Sequence, residues 1–278
     1  MNDDELREGL DRLLRPAREA APPGITLIRR RLRRRRARLA ATCGGVAAAV
    51  GLLALVVGSH VGAPPAVTPA TGRGGTHQLA YSYTVSSPVR NLDISADASS
   101  VTVTGGAAGS PVTVTDQLAY SQAEPSLRSS VQNGTLTLGY SCPAGQECGV
   151  SYDVRVPSGT DVTVRVQTGS IDLTGLAGAV IAATGTGTIN ASLASSDISL
   201  SVQTGQISAN LTRPPADLSL SNGTGGIIIA VPGKVSYNLN YNLDVDISTI
   251  KIKQNPVSPY RIDVTSSGAS TLYIGTSG

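Results

Sequence analysis

The sequence predicts an all-β fold, a single-stranded β-helix or β-solenoid with rungs of about 18 residues. One transmembrane α-helix and a short helical cytoplasmic tail are predicted to precede it. Three observations carry this reading. An uncharged run of 19 residues, Leu39–Val57, follows a block of arginines. Four segments after Asp153 repeat one another at offsets of 18, 18 and 20 residues. The chain also has no Trp and no Phe against 31 Gly. Large aromatics bury so much area that a broad core normally uses several, so the core here is expected to be thin and aliphatic.

Charge divides the chain. Residues 1–38 carry 12 Arg and six acids, a net +6, whereas residues 39–278 carry ten basic and 13 acidic residues, a net −3. Such asymmetry marks regions in different settings. Within the first region, Asp3–Glu19 suits a short helix, with acids at its positive end and Leu6, Leu10, Leu13 and Leu14 on one face. Pro22-Pro23-Gly24 ends it. A second stretch, Ile25–Arg38, holds the basic cluster Arg29, Arg30, Arg31, Arg33, Arg34, Arg35, Arg36 and Arg38. Arginines beside an apolar span stay in the cytoplasm, so the N-terminus is expected inside and the C-terminus outside.

Residues 39–58 are read as the span itself. At about 1.5 Å per residue, 19 helical residues just cross a hydrocarbon layer of roughly 30 Å. A cleaved signal peptide fits less well, because 38 residues precede the apolar run and no Ala-x-Ala site follows it. Cys43 precedes the run instead of following it, and reads as a small membrane residue. Residues 59–78, rich in Gly, Pro, Ala and Thr, read as a flexible linker. The remainder, 79–278, is read as one extracytoplasmic domain.

The repeat is the strongest signal in that domain. Val162, Val180, Ile198 and Leu218 form one column, and Val164, Ala182, Leu200 and Leu220 the next. Thr168-Gly169, Thr186-Gly187, Thr204-Gly205 and Thr224-Gly225 form a third, and Ile171, Ile189, Ile207 and Ile227 a fourth. Pro214-Pro215 marks the two-residue insertion. Within a rung, Val162, Val164 and Val166 alternate with polar residues, as a strand with one buried face does. The Thr-Gly step then breaks the phase, and Ile171 and Leu173 resume it. A single rung cannot bury its own apolar face, so stacking is obligatory. A left-handed hexapeptide helix is excluded, since positions 171, 177, 183 and 189 read Ile, Ala, Ala and Ile.

Upstream, Leu92-Asp-Ile94, Val101-Thr-Val103, Val112-Thr-Val114 and Leu136-Thr-Leu138 read as further strands. Turns bearing Gly, such as Gly105-Gly106 and Asn133-Gly134, separate them. Cys142 and Cys148 flank Pro143-Ala-Gly-Gln-Glu147 between two strand candidates. In an extracytoplasmic domain, two cysteines this close are expected to close a loop as a disulfide.

The stretch Val156-Pro-Ser-Gly-Thr-Asp-Val-Thr-Val-Arg-Val-Gln-Thr-Gly-Ser-Ile171 is similar to the opening of the adhesin-like DUF4097 family of bacterial envelope proteins. Ala230-Val-Pro-Gly233 and Ser266-Ser-Gly-Ala-Ser-Thr-Leu-Tyr-Ile274 look like later rungs of that family. The likeness covers roughly residues 80–278 and is best from 153 to 231. It implies a β-solenoid on the cell surface, linked to surface interaction or envelope stress, with no catalytic residues.

The residues point the same way. No histidine lies in 79–278, so neither a Ser-His-Asp nor a Cys-His arrangement can form there. The glycines fall at rung corners, without the lysine and helix of a phosphate loop. Asp161, Asp197 and Asp217 occupy equivalent rung positions and could offer oxygens to Ca²⁺, but Ala179 interrupts them. The Gly-Gly-x-Gly-x-Asp signature of calcium-loaded rolls is absent too. Asp is also a good turn residue before a strand. No cofactor and no metal are expected. A nucleic-acid role is excluded for the large domain, which has neither a basic patch nor stacking aromatics. The expected function is non-enzymatic: surface display of the solenoid toward a cell-wall or surface ligand. The alternative is envelope-stress signalling, with the tail docking a sigma factor or another cytoplasmic regulator. A polysaccharide-processing enzyme is the weakest reading, because such β-helices are longer and carry charged, aromatic grooves.

Overall fold

The computed structural model describes residues 76–244, 247–268 and 270–277. The expected cytoplasmic tail with its Arg29–Arg38 cluster, Cys43, the expected 39–58 span and most of the expected linker lie outside the described residues. The described residues are all-β, in one sheet system of 15 strands, and none of their elements is a helix long and apolar enough to cross a membrane.

The repeat forms four long strands: β8 (Asp161–Thr174), β9 (Val180–Leu193), β10 (Asp197–Leu211) and β11 (Asp217–Pro232). Each pairs in parallel with the next, and the register sets Val162 beside Val180, Ile198 and Leu218. The same register aligns Ile171, Ile189, Ile207 and Ile227, all four at most 1% exposed. The four columns visible in the sequence are therefore the four columns of the ladder. The two extra residues fall between Leu211 and Asp217, where Pro214-Pro215 sits.

Each strand bends once, at its Thr-Gly step. Gly169, Gly187, Gly205 and Gly225 have φ of 143°, 148°, 137° and 135°. A Cβ on any of the last three would collide with the carbonyl oxygen of the corner glycine one rung earlier; on Gly169 it would meet that of Ser99. Both the dihedral and the close approach demand glycine. The bend changes which parity faces inward, and so Val166 and Ile171 are both buried though five residues apart.

Upstream, β2 (Asn91–Ala98) and β3 (Val101–Gly106) make one rung and lie directly against β8. The next segment, β6 (Thr135–Ser141) and β7 (Cys148–Pro157), stacks on the far side of β2 and β3. The chain's first rung is thus enclosed between later ones. The other end does the same. After β11 the chain forms β12 (Asn238–Leu243) and β13 (Ile247–Ile250) at the outside. It then returns to insert β14 (Arg261–Ser266) and β15 (Ser270–Ser277) between them and β11. The repeat columns continue through this last rung, with Ile262, Val264, Leu272 and Ile274 buried in line. Enclosing both terminal rungs leaves neither as a bare edge.

At the first end, β4 (Val112–Tyr120) pairs antiparallel with β7, and β1 (His77–Val85) pairs antiparallel with β4. β1 opens at His77, two residues before the boundary expected from composition, because Tyr81 and Tyr83 alternate inward below a linker-like start. β5 (Ser126–Gln132) closes the other side as a hairpin on β6. Its turn is Asn133-Gly134, both with positive φ (52° and 77°), as a right-twisted two-residue hairpin favours.

Candidate functional site

Of the sequence-predicted site residues, the cysteine pair and the rung aspartates lie among the described residues, and the Arg29–Arg38 cluster does not. Cys142 and Cys148 join β6 to β7, with their Cα atoms 5.7 Å apart and their sulfurs bonded. Asp197 and Asp217 are register neighbours, but Asp161 pairs with Asn91 instead. Its Oδ1 accepts a hydrogen bond from the Ala179 N–H at 2.8 Å, which is a turn role. Among the described residues, no three His, Cys, Asp or Glu side chains gather as a metal set would require. His77 stacks on Tyr120, with ring centroids 5.3 Å apart.

The outer surface of the stack is a set of polar ladders. Thr168, Thr186, Thr204 and Thr224 are register partners and all exposed. Beside them Gln167 and Gln203 alternate with Gly185 and Gly223, which leave a shallow notch bordered by Asp97 and Arg165. Gln167 donates to Asp97 at 2.9 Å, and Arg165 pairs with Asp93 at 3.5 Å. On the second face Asn190 donates to Asp172 at 2.9 Å. These side chains are short, uncharged or paired, and spaced at the strand interval of about 4.8 Å.

A cleft of about 960 Å³ opens where three connections meet: β1 to β2, β3 to β4, and β7 to β8. Pro88, Pro111 and Pro157 contribute apolar walls; Arg90, Asn91 and Asp161 contribute polar ones. Backbone hydrogen bonds tie the connections down. Arg90 and Asn91 donate to the Gly134 carbonyl at 2.7 and 3.1 Å, Asp161 donates to the Arg90 carbonyl at 3.0 Å, and Ser158 donates to that of Gly106 at 3.1 Å. Sequence pattern marks Asp161 as a turn residue and does not single out Arg90. The available signal was a proline at each of the three connections.

A second polar feature lies inside the end formed by β1, β4 and β7. Asp116 is 2% exposed, and its Oδ1 has no hydrogen-bond partner. The buried hydroxyls of Tyr83 and Tyr152 have none either. Tyr152 is the cross-strand partner of Asp116. Burial pushes the Asp116 carboxyl up to about 6, with the Tyr83 hydroxyl offsetting part of that push. Burial likewise pushes the Tyr83 hydroxyl up to about 12 and raises that of Tyr152. The signal was legible here: Asp116 continues the parity of Val112 and Val114, which are buried.

No family profile matches this sequence, and no curated protein matches it. Similar solved structures include a candidate cell adhesion protein of Clostridium sporogenes, at 9% identity and a TM-score of 0.41, with 76% of this chain and 100% of that one covered. A candidate adhesin of Bacteroides fragilis is 11% identical with a TM-score of 0.24, covering 71% of this chain and 96% of its own. One from Parabacteroides merdae is 9% identical with a TM-score of 0.25, at 73% and 97%.

Proposed function

We propose that the chain is a non-enzymatic, single-pass membrane protein that displays a DUF4097-like, adhesin-type β-solenoid outside the cell for envelope or surface contact. The observation that supports this is the outer face of the stack. Thr, Ser, Asn and Gln side chains stand in register over successive rungs, and a repeated surface of this kind suits a repeated or extended partner. Arg29–Arg38 and the apolar 39–57 run support the orientation, with the N-terminus inside.

The test compares cells displaying the full chain with cells displaying a chain that lacks Val180–Asp197, one whole rung. Retention on purified cell-wall sacculi and on neighbouring cells is measured. Retention is expected to fall with the lost rung while surface exposure is unchanged, and equal retention would refute display for contact. A cytoplasm-dependent reporter fused after Gly278 is expected to be silent and one before Met1 active. The reverse pattern would refute the orientation.

A further inference from the structure

We infer that the cleft between the β1–β2, β3–β4 and β7–β8 connections is a binding site for a neutral oligosaccharide. The inference rests on the surface-contact reading and names its ligand class. Four features of the cleft lead there. Its volume, about 960 Å³, lies near the top of the range of about 300–1,000 Å³ typical of ligand pockets, enough for more than one sugar ring. Its charge cancels: Arg90 and Asp161 both line it, which matches an uncharged ligand better than an anion. Arg90 has no ion-pair partner among the described residues, so its fork of donors is free for ligand oxygens. Asp161 spends Oδ1 on the Ala179 N–H, which leaves Oδ2 to accept from a hydroxyl. Asn91, whose Nδ2 donates to Thr135 Oγ1 at 3.4 Å, adds an amide oxygen that can accept.

A sugar ring needs that combination: hydroxyls that donate and accept at its edge, and C–H faces that lie on apolar surface. Pro88, Pro111 and Pro157 supply the apolar walls. They also fix the connections, as do the bonds from Arg90 and Asn91 to Gly134 and from Asp161 to Arg90. A preformed site loses less ordering entropy on binding. The site needs the swapped rung order, which sets β2 between β6 and β8 and so brings the three connections to one mouth.

The experiment uses the full chain purified in detergent, titrated calorimetrically with maltotriose, mannotriose and triacetylchitotriose, and with trigalacturonate as the acidic counterpart. At least one neutral trisaccharide is expected to bind saturably in the millimolar range or tighter. Arg90→Ala and Asp161→Asn should each weaken it tenfold or more. Arg90→Lys, which keeps the charge without the fork, should fall between. Lys253→Ala, at the opposite end, should bind as the parent does. Circular dichroism checks that each variant is folded, and Arg90→Lys keeps the test decisive if Arg90→Ala is not. Binding that survives Arg90→Ala overturns the site. Absence of binding by all three neutral sugars overturns it too. Trigalacturonate binding that strengthens in Asp161→Asn would make it an anion site instead. Capture of only a proline-rich peptide would make it a protein-docking groove. If Arg90→Ala abolishes sugar binding but not sacculus retention, surface contact stands and this cleft is not its route. If sacculus retention is absent in the parent while sugar binding holds, the cleft stands and the display reading falls.

Discussion

The two ends of the stack solve one problem by different means. A coil of rungs buries side chains between neighbours, so its last rung at each end has an inward face with nothing above it. At the first end the chain adds β4 and β1 beyond β7 and a β5 hairpin beside β6, and the inward face is covered by another layer. At the second end it stops at β12 and β13. There Tyr237 is the largest buried side chain: it is fully buried, its hydroxyl donates to the Pro232 carbonyl at 2.8 Å, and its ring lies 6.2 Å from that of Tyr260, with Leu239, Leu243, Ile250 and Ile252 half-buried against the core. The inward-facing Tyr241 of β12 is left 49% exposed. All three lysines of the chain, Lys234, Lys251 and Lys253, lie at this second end. Lysines beside an open edge discourage pairing with another chain. Covering with strands permits a buried polar group such as Asp116, whereas the half-buried side chains of the second end do not extend so far.

The largest expected effect tests how far Tyr237 closes the second end. Tyr237→Ala should cost about 3–5 kcal/mol, as for a buried aromatic truncated to Ala. Tyr241→Ala, between the half-buried Leu239 and Leu243 but itself open to solvent, should cost roughly 0.5 kcal/mol or less. Thermal unfolding of the two variants separates them, and equal losses would show that β12 is the true closure. Ile207→Ala, in the middle of the stack, sets the scale at about 2–5 kcal/mol.

Next in size is the link at the first end. Cys142 and Cys148 close a short loop, for which loss of the cross-link is expected to cost about 2 kcal/mol on the chain-entropy account. Mass mapping without reductant should find the pair joined, and Cys142→Ser/Cys148→Ser should lower the unfolding midpoint. No counterpart exists at the second end, where the described residues contain no cysteine.

The smallest effect has a distinctive sign. Asp116 holds its proton to about pH 6 in the fold, above the ordinary carboxyl value of 3.8. The stabilisation of the protonated form is therefore complete below about pH 4 and is lost as pH rises through about 6. The unfolding midpoint should fall between pH 4.5 and 7. Asp116→Asn should remove that slope and gain about 1–2 kcal/mol at pH 7, a figure reduced for residual solvent screening. A midpoint that rises with pH in the parent would show that Asp116 is ionised and paired. The second end, with no buried carboxyl among its described residues, should contribute no such slope.

Much of the fold was written in local pattern. The alternation of Val162, Val164 and Val166, the Thr-Gly corners and the 18-residue offsets each follow from short-range rules, and the ladder registers match them residue for residue. The aromatic-poor composition foretold a core of Val, Leu, Ile and Ala, and Asn133-Gly134 foretold a turn, which the structure makes the tip of the β5–β6 hairpin. Strands β1, β5, β12 and β13 were not foretold, because each lies at an end, where the alternation is diluted by solvent on the inward side.

What sequence alone determined is the rung: its strand parity, its glycine corner and its need for neighbours. Only the tertiary structure decided the order of the rungs. A rung's pattern specifies that it stacks but not on which neighbour, since every aliphatic column accepts every other. The structure encloses the first rung between β6–β7 and β8, and the last between β11 and β12–β13, an order that the repeat columns by themselves do not specify. That same order brings the connections around Arg90, Asn91 and Asp161 together, and so the cleft has no signature in any one segment of the chain.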